Sequence, residues 1–174
     1  MVKKEGQKPS LVKRRSENKL QHEVEKCIKD KCGKVFTWKL ADRFKVGLPD
    51  MIVVYNGKCC FLEFKSEKGK VTPIQGKVLN DLADNGAFCY IIQWFKNDKV
   101  KMVKYAGRNS RYDGVYCYFT IVKDSIEELV DIIKGEMEGE YDVFGIPSDS
   151  NHSITFSNNI CSMGYTKISE KYEC

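Results

Sequence analysis

Leu20, Val24, Cys27 and Ile28 recur at the offsets of one helical face among charged residues, which predicts an amphipathic helix. Ser16 is a good N-cap for it, Glu17 suits the first turn, and Gly33 stops the pattern. From Lys34 to Leu40 the period drops to two. This gives a strand with Val35, Thr37 and Lys39 on one face and Phe36, Trp38 and Leu40 on the other. Two runs that are apolar on both faces follow: Met51, Ile52, Val53 and Val54, then Cys59, Cys60, Phe61 and Leu62. Strands of that kind are normally covered on both sides. Helical spacing returns behind Thr72, Pro73 and Gln75, which form a capping box with proline at the first helical position. Val78, Leu79 and Leu82 then face inward, and Gly86 sits where a C′ glycine is expected. Phe88 to Trp94 is a further buried strand, reached through that helix by a right-handed crossover. Val115 to Val122 is another strand, and Ser125 and Glu128 cap a last helix with Ile126, Leu129, Val130, Ile133 and Met137 inside. Residues 1–15 lack any apolar period and read as a flexible basic arm, 16–138 as one domain, and 139–174 as a polar, acidic tail.

Asn56-Gly57 between the two apolar runs is the strongest short-range signal for a two-residue type I′ hairpin. With those residues as the loop, Tyr55 faces Lys58, opposed residue numbers sum to 113, and Asp50 is expected opposite Glu63. Opposed Cβ atoms lie about 4.5–5.5 Å apart, and Lys65, two residues past Glu63, shares the face. Two carboxylates and one amine are thereby gathered at the end of strands buried on both sides. A cross-strand ion pair on a solvated edge is the simpler account of these charges. At a partly desolvated rim, however, two close carboxylates repel and require a cation. Lys65 meets part of that need, and a divalent ion bound through oxygen suits the pair better.

Pro49-Asp50 followed by Glu63-Phe64-Lys65 is the pattern Pro-Asp…(Asp/Glu)-x-Lys, which resembles the PD-(D/E)xK nuclease superfamily. The longer string runs Gly47-Leu48-Pro49-Asp50-Met51-Ile52, then Glu63-Phe64-Lys65, then Lys68-Gly69-Lys70-Val71-Thr72-Pro73-Ile74-Gln75. It is similar to the VRR-NUC branch, the virus-type replication-repair nucleases, and the likeness covers residues 16–94. The resemblance implies an α/β restriction-endonuclease-like fold, a central mixed β-sheet flanked by helices, and metal-dependent hydrolysis of DNA phosphodiesters. In such a site Asp50, Glu63 and the backbone carbonyl of Phe64 would hold Mg²⁺, or Mn²⁺ in its place. Lys65 would orient or help deprotonate the attacking water. The resemblance also implies an acidic or Gln side chain from the first helix. Gln21, with Val24 and Ile28 behind it, best matches that position. Glu17, one turn earlier, stays open as a metal ligand or simply a favourable N-terminal charge, and Glu23 is a third choice. Gln75 is fully explained as a cap, and by the resemblance it also points into the site. Lys39 resembles the family's basic residue at the end of its strand. The implied substrate is branched, flapped or nicked DNA, as for a Holliday-junction resolvase, with a homodimer suiting a two-fold branch. A sequence-specific restriction-type endonuclease and a non-catalytic nucleic-acid-binding module on the same fold remain alternatives.

Charge by segment points to the same partner. Residues 1–123 carry 26 Lys and Arg against 13 Asp and Glu, whereas 124–174 carry 3 against 11. The motif therefore lies in the basic part, as a polyanion partner requires. Lys13, Arg14, Arg15, Lys39, Lys68, Lys70, Arg108 and Arg111 are the expected DNA contacts, the last two among interleaved aromatics that suit base stacking or merely a solvated hairpin. No apolar run approaches the roughly 18 residues of a membrane span. Eight Cys without framework spacing read as a reduced, intracellular protein, and His22 and His152 alone make zinc a poor fit.

Overall fold

The computed structural model describes residues 16–40, 46–109 and 115–140, with the side chains of 108–117 left out of the description. The first helix, α1, spans Glu17–Cys32, with the Ser16 hydroxyl accepting from the Lys19 N–H and Gly33 as C-cap. Strand β1 (Phe36–Lys39) is shorter than its alternating pattern suggested. Strands β2 (Met51–Tyr55) and β3 (Lys58–Lys65) form the hairpin, followed by α2 (Pro73–Asp84) and β4 (Phe88–Trp94). A hairpin of β5 (Val100–Asn109) and β6 (Val115–Lys123) leads into α3 (Ile126–Glu138).

The six strands make one sheet in the order β1-β2-β3-β4-β5-β6. Only β3 and β4 are parallel; every other neighbouring pair is antiparallel. The sheet is mixed and flanked by helices, as expected from the sequence. Helices α1 and α3 cover one face through Leu20, Val24, Ile28, Leu129, Val130, Ile133 and Met137. Met51, Val53, Cys60, Leu62, Phe64, Tyr90 and Ile92 meet them from the sheet. On the other face α2 sets Leu79 against Cys89, Ile91 and Tyr105. That second cover stops short of β1 and β2, where Phe36, Trp38 and Val54 are exposed.

The hairpin register is the expected one from Tyr55↔Lys58 to Met51↔Leu62. Its turn residues Asn56 and Gly57 have φ of 49° and 71°, as a type I′ turn requires. Asp50 departs from expectation, because the ladder ends at Met51 and Asp50 is not paired across from Glu63. Hydrogen-bonded pairs alternate outward from the turn, so Pro49 and Phe64 would be the next such pair. Proline has no N–H to give, so that pair could form at most the bond from the Phe64 N–H to the Pro49 carbonyl. The Phe64 N–H instead meets the Asp50 side chain, whose Oδ2 accepts it at 2.7 Å. The basic arm 1–15 and the tail from 141 lie outside the described residues, and no described helix is long and apolar enough to cross a membrane.

Candidate active site

The motif residues converge where β2 and β3 reach the rim of the sheet beside the N-termini of α1 and α2. Glu63 is buried, at 1% exposure, and its Oε1 accepts from the Lys65 ammonium at 2.5 Å and from the Gln75 amide at 2.5 Å. The same Gln75 caps α2: its Oε1 accepts from the Thr72 N–H at 3.0 Å while the Thr72 hydroxyl accepts from the Gln75 N–H. One glutamine thus ties the helix N-terminus to the acid. Gly47, at φ 90°, lets the preceding loop pass against Ile74, whose backbone a Cβ there would meet at 3.2 Å.

Both carboxyls are held above the usual carboxylate range. Burial is the main cause for Asp50, opposed by the Phe64 N–H and Lys65, with Glu17 adding repulsion. Burial again dominates for Glu63, opposed by its bond to Lys65 and reinforced by the charges of Asp50 and Glu17.

Helix α1 brings both of its disputed residues to this rim. The Gln21 amide donates to the Asp50 backbone carbonyl at 3.4 Å, and Glu17 Oε1 accepts from the Ser66 N–H at 2.9 Å. Glu23 instead pairs with Lys19 along the helix, 3.5 Å away. If Gln21 serves catalysis and Glu17 chiefly holds the loop, Gln21→Ala should cut cleavage with little change in melting temperature. Glu17→Ala should keep cleavage and lose at most about 1 kcal/mol, the scale of an acid at a helix N-terminus. An inactive but stable Glu17→Ala beside an active Gln21→Ala reverses the assignment.

Lys39 turns to the α1 face, its ammonium 4.0 Å from Glu25 Oε2. Lys68 and Lys70 are exposed in the loop after β3. Lys13, Arg14, Arg15 and Arg111 lie outside the described residues, as does the side chain of Arg108. The sequence reading passed over Gln93. Buried in β4 beside Lys65 in the register, its amide donates to the carbonyls of Ser66, Glu67 and Gly69 at 2.9, 3.3 and 2.9 Å. It fixes the loop that leaves the motif lysine. The signal was available, since a polar side chain inside an apolar strand must find hydrogen bonds when buried.

No family model and no curated protein matches the chain. Among solved structures it is similar to a VRR_NUC domain at 26% identity, over 40% of this chain and 80% of that one, with a TM-score of 0.34. It is also similar to Hjc, a Holliday junction resolvase of Archaeoglobus fulgidus, at 17% identity over 65% of this chain and 98% of that one, with a TM-score of 0.39. Both are members of the PD-(D/E)xK nuclease superfamily. The motif residues of the resemblance, Asp50, Glu63 and Lys65, are the ones met at this rim, and the chemistry assigned to them below rests on their own contacts.

Among the described residues no three His, Cys, Asp or Glu side chains group as a ready metal cage. The two carboxylates at the rim are oxygen donors of the kind that suits a hard divalent cation keeping several waters. Two acids raised chiefly by burial, Asp50 half-buried and Glu63 fully so, are the electrostatic complement of such an ion.

Proposed function

We propose that this protein is a divalent-metal-dependent DNA endonuclease acting on branched, flapped or nicked DNA. The observation that carries the proposal is the junction of Asp50, Glu63, Lys65 and Gln75 at one rim, in a chain whose first 123 residues are strongly basic. Asp50, Glu63 and the Phe64 carbonyl would hold Mg²⁺ or Mn²⁺, which when bound supplies Lewis-acid polarisation of the scissile phosphate. Phe64 N–H fixes the Asp50 carboxylate, and Gln75 fixes that of Glu63, so neither acid needs to reorganise. Lys65, bonded to Glu63, would orient the attacking water and offset the negative charge that develops on the phosphate. A homodimer would offer two such sites to a two-fold branch.

The test is incubation of the full chain with branched, flapped, nicked and linear duplex DNA, in Mg²⁺ and in chelator. Cleavage concentrated on the discontinuous substrates and abolished by chelator is expected. Lys65→Met should remove most of the rate, and Lys65→Arg should rescue little, because a planar guanidinium cannot copy a compact ammonium. Undiminished cleavage in chelator, or no cleavage of any substrate, overturns the proposal.

A further inference from the structure

The sheet face that carries Glu63 and Lys65 continues, past the reach of α2, into an exposed aromatic strip. Trp38 is 61% and Phe36 54% exposed, and their rings lie within 10° of parallel with centroids 6.1 Å apart. In register Phe36 faces Val54 and Trp38 faces Ile52, and these face Cys59 and Phe61 on β3. Opposed residues share a face, and side chains alternate along a strand. Phe36, Trp38, Ile52, Val54, Cys59 and Phe61 therefore lie on one surface with Glu63 and Lys65, two and four residues beyond Phe61. Thr37, between the two rings, turns the other way and donates to Glu25 on α1. Exposed apolar groups of this size, clustered and flat, mark a contact surface.

We propose that this strip is a stacking platform for unpaired bases of the DNA substrate, an inference that rests on the nuclease reading above. Strands lie about 4.8 Å apart and rise about 3.4 Å per residue, which puts the Trp38 backbone about 12 Å from that of Glu63. At a rise of ~3.4 Å per nucleotide that is about three to four nucleotides of stacked strand, and fewer of an extended one. Along the strip only apolar side chains intervene, so it offers the bases π-faces. Lys65 and the exposed Lys68 and Lys70 stand beyond it to receive phosphates. A second copy of the chain is a poorer occupant. Two aromatic side chains at ~150–250 Å² each fall short of the ~800 Å² per partner of a stable interface. Stacking explains why the aromatics are exposed beside the acids, and it selects DNA with a single-stranded segment next to the cut.

The protein reports on this directly, because it has two tryptophans and Trp94 is buried. Oligothymidylate added in chelator should quench the Trp38 fluorescence, whereas fully paired duplex should not. Trp38→Ala should weaken binding of flapped DNA about tenfold, the scale of one lost base stack, and change duplex binding less than twofold. Trp38→Phe should recover most of the loss, and the exposure of Trp38 leaves folding intact, which thermal unfolding checks. Absence of quenching, equal weakening on both DNAs, or a change of oligomeric state in Trp38→Ala by sedimentation overturns the platform. These binding measurements need no catalysis. A platform that fails beside active cleavage leaves the nuclease standing, and quenching without cleavage of any DNA has the opposite meaning.

Discussion

Asp50→Asn should cut cleavage by about a hundred- to a thousandfold, the scale of losing a principal electrostatic group in a hydrolytic site, while raising the melting temperature. The asparagine amide oxygen still accepts the Phe64 N–H that Asp50 now accepts, so the rim keeps its backbone contacts. What disappears is a charge that burial and neighbouring Glu17 disfavour. Removing it also relieves the repulsion on Glu63. A gain of about 1 kcal/mol would raise the transition by about 2–4 °C in a chain of this size. The sign extends to pH. An acid whose folded pKa is raised above its unfolded value binds its proton more tightly when folded. Its contribution favours folding at low pH and is lost as pH rises from the unfolded value through the folded one. Wild type should therefore lose stability across that window, and Asp50→Asn should lose less. DNA binding should persist or tighten, since a negative charge leaves the phosphate site. Wild-type cleavage in Asp50→Asn, or a lowered melting temperature at neutral pH, would show that Asp50 is a structural acid.

The largest effect on stability should come from the other face of the sheet. Lys104, 5% exposed in β5, places its ammonium on Glu136 Oε2 of α3, and the Tyr90 hydroxyl donates to the same oxygen. The Phe88 and Tyr90 rings lie 5.7 and 6.0 Å from that ammonium, and Lys58 donates to the Glu136 carbonyl at 3.2 Å. Lys104→Met removes the counter-ion of a buried carboxylate, a change that costs about 3–5 kcal/mol. The melting temperature should fall by about 6–20 °C at about 2–4 °C per kcal/mol. Adding Glu136→Gln should recover most of that loss, because no uncompensated charge remains. Cleavage at temperatures below both transitions should stay at the wild-type rate, since the cluster lies on the face away from Glu63. A single variant that melts within about 2 °C of wild type would show that water or a neighbouring group already compensates Glu136.

By itself the sequence determined every element whose signal is local. The helix starts at Ser16, Thr72 and Ser125 are set by side chains bonding the next turn, and the Asn56-Gly57 turn fixed the register down to Met51. A two-residue loop admits one pairing, and alternation then puts Glu63 and Lys65 on a common face without any tertiary information. The position of Asp50 was misjudged, because the Phe64 N–H bonds the Asp50 side chain in place of extending the ladder past Met51, and the pairing rule counts only backbone partners. Only the tertiary structure decided which side chains of α1 reach the rim, since the depth of a helix against a sheet depends on every residue packed between them. It also decided the role of Gln93, whose three carbonyl partners lie more than twenty residues back in the chain. The same holds for Glu136, which reads in sequence as one more acid on a helix and is buried because Lys104 and Tyr90 come to it from distant strands. The exposed aromatic face of β1 belongs here too. Alternation assigned Phe36 and Trp38 to one face, but only the place where α2 ends leaves that face open beside the acids.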